Sequence, residues 1–179
     1  MNRFLAASLL LFCAHAVAQD LPAGLRGPAV SMAPPPVVSI QQGKAGTVPL
    51  SFRVIRGFHV NSNKPSSEFL IPTALKVDAT TDIVIGRITY PVGKDMSFPF
   101  APDEKLNVYS GDFQLGVIVR PLLTVQTGKY MIRGSLKYQA CDNAACYPPK
   151  TLPVAFQVRI SKAPPAAHKN PAQSPHAHK

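Results

Sequence analysis

Four segments of the chain alternate apolar and polar residues with a period of two, and this pattern constrains the fold more than any other feature of the sequence. The segments are residues 50–54, 113–119, 130–138 and 152–160. A period of two is typical of β-strands, because successive side chains point to opposite faces of a sheet. No segment has a convincing helical period, so the folded part of the chain is predicted to be all-β.

Weaker strand signals lie at residues 37–41, 74–77 and 83–90, separated by turn signals such as Gln42-Gly43 and Thr127-Gly128. The 19 prolines and the absence of tryptophan favour an all-β domain with Pro-rich ends. Seven or more short strands in about 125 residues predict a β-sandwich of the immunoglobulin type. The consecutive strands 130–138 and 152–160 are expected to pair as a hairpin.

The first 18 residues are predicted to be a cleavable export signal. Arg3 precedes an apolar run at residues 4–12, and Ala16-Val17-Ala18 is a small-x-small cleavage site. The apolar run is too short to cross a bilayer, and no later segment is long enough, so no membrane span is expected. Cleavage would also remove Cys13, which leaves two cysteines in the mature chain.

Both ends of the mature chain are rich in proline. Residues 19–36 are predicted to be a flexible lead-in, and residues 161–179 a disordered Pro/His/Lys tail that cannot bury a core. The folded domain is therefore expected to run from residue 37 to residue 160.

The chain is basic. Of its 19 lysines and arginines, Arg3 lies in the predicted signal, which leaves 18 against 9 acidic residues and a formal net charge of +9. The basic residues are spread singly along strands and tail, without a basic helix or cluster. This distribution favours solubility and loose attraction to acidic surfaces, and no nucleic acid is expected as a partner.

Cys141 and Cys146 lie in the connection between the two strongest strands. Four intervening residues allow the two Cα atoms to come within bonding range across a hairpin tip. A ring this small removes little unfolded-state entropy and would stabilise the fold by about 2 kcal/mol. On spacing alone, a structural disulfide and a redox-active pair are equally favoured. A zinc site is disfavoured because His59 is the only histidine within the predicted domain.

The sequence around the two cysteines resembles the N-terminal periplasmic domain of the thiol:disulfide interchange protein DsbD. The resemblance covers residues 37–160, and its most specific part is a Tyr-Gln-x-Cys followed by a short insert and Cys-x-Pro-Pro. Weaker agreement is found at three further places, Gly57-Phe58-His59-Val60-Asn61, Tyr90-Pro91-Val92-Gly93 and Val108-Tyr109.

The resemblance implies a function for the cysteine pair. It implies a periplasmic domain that accepts electrons from a thioredoxin-like domain or a membrane thiol carrier and passes them to oxidised periplasmic proteins. Cys146 would be the cysteine that exchanges with partners and Cys141 the resolving thiol, with no metal or organic cofactor. Because the family's full-length member continues into a membrane carrier and a thioredoxin-like domain, either the electron donor of this chain is another protein or the chain has lost the electron-transfer role.

The resemblance also implies supporting residues. The family shields its cysteines with a cap loop, matched here by residues 95–100, in which Phe100 is the first candidate for the capping aromatic side chain and Phe98 the second. His59 and Asn61 occupy positions at which known members carry tyrosines. His59 could stabilise a thiolate or relay a proton. Ordinary core phenylalanines and a merely exposed or partly buried histidine remain the alternatives.

Two residues of the cysteine motif are further candidates. Asp142 is expected to raise the pKa of the neighbouring Cys141 thiol. Tyr147 follows Cys146 and precedes Pro148-Pro149, which would hold the second cysteine in a rigid pose.

Two functions compete with thiol–disulfide exchange. The first is a non-catalytic binding module of the same fold with a structural disulfide. The second is metal handling by the tail histidines His168, His176 and His178.

Overall fold

The computed structural model describes residues 27–78 and 80–162, so the predicted signal peptide and most of the predicted tail lie outside the described residues. Within these ranges the chain forms β-strands, turns and loops, and no helix. The strands are β1 (Val30–Met32), β2 (Val38–Gln41), β3 (Gly46–Val54), β4 (His59–Asn61), β5 (Ala74–Val77), β6 (Ile83–Thr89), β7 (Lys94–Phe98), β8 (Ala101–Tyr109), β9 (Asp112–Pro121), β10 (Gly128–Tyr138), β11 (Ala140–Cys141) and β12 (Lys150–Ser161). Accordingly, the described residues contain no helix long and apolar enough to cross a membrane.

Two four-stranded sheets form the sandwich. One has the strand order β1-β3-β9-β6 and the other β2-β12-β10-β5. Strands β1, β3, β9 and β6 correspond to A, B, E and D of an immunoglobulin domain, and β12, β10 and β5 to G, F and C. All pairs are antiparallel except β2 with β12. The predicted immunoglobulin-type sandwich is confirmed, as is the hairpin of β10 with β12.

The inward faces of the two sheets share one apolar core. On β9 the alternating residues from Phe113 to Val119 are buried, and the residues between them are exposed or half-buried. The rings of Phe52 and Phe113 stack at 5.4 Å between centroids across the β3–β9 pair. From the other sheet, Ile132 and Phe156 enter the same core. Each such buried side chain stabilises the fold by about 1.5–3 kcal/mol.

The sandwich begins earlier than the sequence predicted. Strand β1 lies inside the segment expected to be a flexible lead-in, and Val30 pairs with Val54 of β3. Ala29 and Val30 are both completely buried. The prediction that the fold begins at residue 37 is therefore wrong. A three-residue strand close to Pro28 and Pro34 is too short to show a period.

A third sheet, called here the end sheet, has the order β11-β4-β8-β7. None of its four strands was predicted from the sequence. They belong to connections: β4 lies between β3 and β5, the β7–β8 hairpin between β6 and β9, and β11 between β10 and β12. These connections meet at one end of the sandwich, because β9 begins beside the last residues of β3 and β11 pairs with β4.

The two faces of the end sheet have different surroundings. Val60, Tyr109 and Ala140 point to the main core. Their neighbours along the strands point to the other face, because side chains alternate in a strand. That outer face includes Cys141 and His59, and a small second cluster of Phe98, Leu106 and Val108 packs beside them.

Candidate functional site

Cys141 and Cys146 are joined by a disulfide with an Sγ–Sγ distance of 2.04 Å and a Cα–Cα distance of 3.9 Å. They are the facing residues of a very short antiparallel ribbon. Backbone hydrogen bonds flank the pair on both sides, from Asp142 N–H to Ala145 O at 3.0 Å and from Tyr147 N–H to Ala140 O at 2.8 Å. The cysteines therefore occupy a non-hydrogen-bonded position of the ribbon, where facing side chains come closest. This backbone geometry brings the two sulfurs together.

The disulfide is packed against the end sheet. The β10–β12 ladder ends at the Tyr138–Lys150 pair, and the connection then crosses to β4 instead of projecting into solvent. As part of β11, Cys141 is completely buried, whereas Cys146 is half-buried. Cys141 is thus closed to solvent, whereas part of Cys146 is exposed.

Asp142 organises the loop between the cysteines. Its Oδ1 accepts hydrogen bonds from the amides of Ala144 and Ala145 at 2.7 and 2.9 Å, and its Oδ2 accepts one from the Tyr147 hydroxyl at 2.6 Å. The Tyr147 bond, followed by the two amides, lowers the pKa of Asp142, and the same bond raises the pKa of Tyr147. A fixed negative charge therefore stands next to Cys141. That this charge raises the pKa of the Cys141 thiol stays a prediction.

His59 lies directly opposite Cys141 in the antiparallel register of β4 and β11, so both side chains leave the same face of the end sheet. It is only 3% exposed, which excludes the alternative of an exposed or partly buried histidine. Burial lowers its pKa to about 4, although the charge of Asp142 acts in the opposite direction. The imidazole is therefore neutral at neutral pH, and its buried Nε2 has no hydrogen-bond partner.

The rings of both candidate cap residues lie close to this imidazole. Phe98 is buried and lies 3.8 Å from the His59 ring between centroids, nearly parallel at 14°. Phe100 is half-buried, 5.6 Å from Phe98 and 6.3 Å from His59. Phe98 is thus the closer of the two to the histidine. The order in which the sequence ranks them as shields of the cysteines stays a prediction.

Asn61 holds the neighbouring chain segments of the site by hydrogen bonds. It is completely buried, and its Nδ2 donates hydrogen bonds to Ile71 O at 3.0 Å and to Gln139 Oε1 at 3.2 Å. Gln139 also accepts the Ile71 amide at 3.3 Å and so anchors the chain two residues before the first cysteine. Gln139 belongs to the cysteine motif but was not predicted as a site residue. Phe58, whose ring lies 5.9 Å from that of Tyr147, was not predicted as a site residue either.

The part of the chain that the structure describes contains no cluster of metal-binding side chains. No group of three or more His, Cys, Asp or Glu side chains is close enough there to hold a metal ion. The tail histidines His168, His176 and His178 lie outside the described residues.

Fold and site together define a class of protein: an immunoglobulin-type β-sandwich whose end sheet carries a disulfide between a completely buried and a half-buried cysteine. The family described as thiol:disulfide interchange protein DsbD, N-terminal, matches residues 30–157. The chain belongs to this family and is a thiol–disulfide interchange domain. The resemblance seen in the cysteine motif is thereby confirmed. Comparison with curated proteins gave no match.

Several solved structures are similar to this chain. The reduced DsbD N-terminal domain of Neisseria meningitidis shows 19% identity and a TM-score of 0.42, over 63% of this chain and 80% of that one. AggA, the major subunit of Escherichia coli aggregative adherence fimbriae type I, shows 8% identity and a TM-score of 0.35, over 75% of this chain and 93% of that one. A family 123 glycoside hydrolase of Clostridium perfringens shows 11% identity and a TM-score of 0.34, over 70% of this chain and 23% of that one. All three TM-scores lie below 0.5, and no conclusion is drawn from them.

Proposed function

We propose that this domain works in the periplasm and passes reducing equivalents through the Cys141–Cys146 pair. The donor is a thioredoxin-like domain or a membrane thiol carrier, and the acceptors are oxidised periplasmic proteins. The observation that carries the proposal is the unequal burial of the two cysteines, with Cys141 completely buried and Cys146 half-buried. Thiol–disulfide exchange depends on which sulfur an attacking thiolate can reach.

The first half of the cycle reduces the domain. A donor thiolate attacks the Cys146 sulfur, the disulfide breaks, and its electron pair leaves with the Cys141 sulfur, which takes up a proton. The second thiol of the donor then attacks the donor sulfur of the mixed disulfide and releases Cys146. The donor ends as a disulfide, and the domain has gained two electrons and two protons.

The second half returns the electrons to a client. The Cys146 thiolate attacks a client disulfide and forms a mixed disulfide, while one client sulfur leaves and is protonated. Cys141 then attacks Cys146, which re-forms the internal disulfide and releases the second client thiol. The ribbon geometry favours this step, because its flanking hydrogen bonds keep the two cysteines facing each other.

The surroundings of Cys141 suit a leaving and resolving sulfur. His59 opposite it is neutral, so it offers a hydrogen-bonding nitrogen without a permanent positive charge that would stabilise a thiolate. Asp142 beside it is held ionised by its hydrogen bonds. Both features favour the protonated Cys141 thiol in the reduced domain, and a protonated thiol is much less nucleophilic than a thiolate.

Trapping of mixed disulfides tests the proposal. Cys141→Ala removes the resolving thiol, so the variant should accumulate mixed disulfides through Cys146 when mixed with an oxidised thioredoxin-type protein. Cys146→Ala leaves only the buried sulfur and should trap far less. The double variant is the control, and non-reducing electrophoresis with mass spectrometry identifies the linked cysteines. Equal trapping by the two single variants would contradict the assignment of Cys146.

A reduction potential separates this function from the binding module with a structural disulfide. Equilibration with redox buffers of known potential should place the pair above about −300 mV, in the range of exchanging disulfides. A value well below this limit would instead identify the bond as structural.

A further inference from the structure

One side of the sandwich concentrates the positive charge that the sequence spreads singly along the chain. The inward side chains of β10 and β12 fill the core, so the residues between them point outward from the sheet β2-β12-β10-β5. The outward side chains of β5, β10 and β12 include five exposed cations, here called the basic face: Lys76, Lys129, Arg133, Lys137 and Arg159.

Little negative charge opposes these cations. Asp78, whose amide bonds to the carbonyl of Arg133 just beyond the end of β5, is the acidic residue next to the basic face. Among the described residues the ion pair is Arg53–Asp112, and it lies on the opposite sheet. In addition, Lys129 faces Arg159 directly across the β10–β12 ladder. Like charges in this position destabilise a sheet, so the arrangement favours an external anion.

The shape of the basic face indicates the kind of anion. Lys129, Arg133 and Lys137 follow one another at every fourth residue of β10, about 14 Å apart at about 3.4 Å per residue. The cations are therefore spread over a broad sheet surface and do not converge on a pocket. A planar array of anions can contact all of them at once, whereas a single small anion cannot.

A protein partner fits this surface poorly. Protein interfaces are enriched in aromatic residues and depleted in lysine. The outward positions of β10 and β12 carry no aromatic side chain, and Met131 is their one exposed large apolar residue. We propose that the basic face binds the anionic headgroups of a phospholipid bilayer.

Such binding would lay the sandwich on its side. The cations lie along the length of β10 and β12, and the end sheet follows the last residue of β10. The cysteine pair would then face along the membrane plane, within reach of a membrane thiol carrier. Lipid binding itself does not depend on the proposed redox function, so either proposal can fail without the other.

Each lysine or arginine close to an anionic bilayer contributes about fivefold to the affinity, and the attraction is screened within about 10 Å at 0.1 M salt. Arg133→Gln/Lys137→Gln should therefore weaken binding about 25-fold. Arg87→Gln/Arg120→Gln is the matched control, because it removes the same charge from exposed positions on the other sheet. It should weaken binding less than about threefold, since those side chains point away from the bilayer.

The experiment is co-sedimentation of the full chain with vesicles of roughly 30% phosphatidylglycerol in phosphatidylcholine, and with pure phosphatidylcholine, at low and at high salt. Binding to the anionic vesicles alone, lost at high salt and in the Arg133/Lys137 variant, supports the proposal. Equal losses in both variants would show that net charge alone is responsible. An Arg133/Lys137 variant that binds vesicles as tightly as the wild type would show that another segment binds the lipid. Tighter binding to duplex DNA than to anionic vesicles would identify nucleic acid as the ligand of the basic face. Each of these three outcomes overturns the proposal.

Discussion

The buried histidine beside Cys141 makes the stability of the domain depend on pH. Burial lowers the pKa of His59 from its ordinary value of 6.5 to about 4. Between these values the unfolded chain binds a proton at this residue and the folded chain does not, so unfolding becomes easier as the pH falls from 6.5 to about 4. One pKa unit corresponds to about 1.36 kcal/mol, so the loss reaches at most about 3 kcal/mol. Below about pH 4 this contribution levels off.

Substitution of the histidine tests this argument. His59→Phe keeps a flat ring against Phe98 and removes the titrating nitrogen, so the loss of stability between pH 6.5 and 4 should disappear. Urea unfolding of the oxidised protein at a series of pH values gives the free energy of unfolding for both proteins. Taking the difference between them cancels histidines whose pKa is the same in the folded and unfolded chain.

A control variant separates His59 from the carboxylates. The folded-state pKa values of Asp112 and Asp142 lie below 3.8, so their contributions to stability are lost mainly below that pH, and overlap the window of the histidine only at its acidic end. Asp142→Asn removes the charge that raises the pKa of His59, so it should keep the pH slope and extend it to lower pH. Parallel stability curves for wild type and His59→Phe between pH 4 and 6.5 would refute the reasoning.

Two further predictions concern the sheet and the cysteine loop. A Cβ at Gly134 would collide with the backbone oxygen of Lys76, so Gly134→Ala should cost about 1–3 kcal/mol in urea unfolding. Gly27→Ala, with nothing within 4 Å of its Cβ, should stay within about 0.5 kcal/mol, and similar losses in both variants would contradict the steric argument. Tyr147→Phe removes the hydrogen bond that contributes most to lowering the pKa of Asp142, so an NMR titration of that carboxyl group should show its pKa rising toward 3.8; an unchanged pKa would refute the assigned cause.

The sandwich could be predicted from the sequence because its strands are long and amphipathic. A strand such as β12 buries every second residue over most of its length, and this period is visible without any knowledge of its partners. The end sheet could not be predicted in this way. Strand β4 has three residues, all of them buried, and β11 has two, so neither shows an alternation.

The cysteine site was therefore predicted in part. The spacing of Cys141 and Cys146 was sufficient to expect a bond between them, since a short connection keeps them close in any fold. The burial of Cys141 was not predictable, because it depends on pairing with β4, about eighty residues earlier in the chain. The same pairing buries His59, which as an isolated residue in a sequence is equally compatible with a surface position.

By itself, then, the sequence determined which residues of the long strands face the core, because the period of side chains in a strand is a local property of the backbone. Only the tertiary structure decided which strands lie side by side. That choice depends on register and on how long connections fold, and it placed Lys129 opposite Arg159 and Cys141 opposite His59. The unequal burial of the two cysteines and the basic face both result from these long-range pairings, and neither exists in any single segment of the chain.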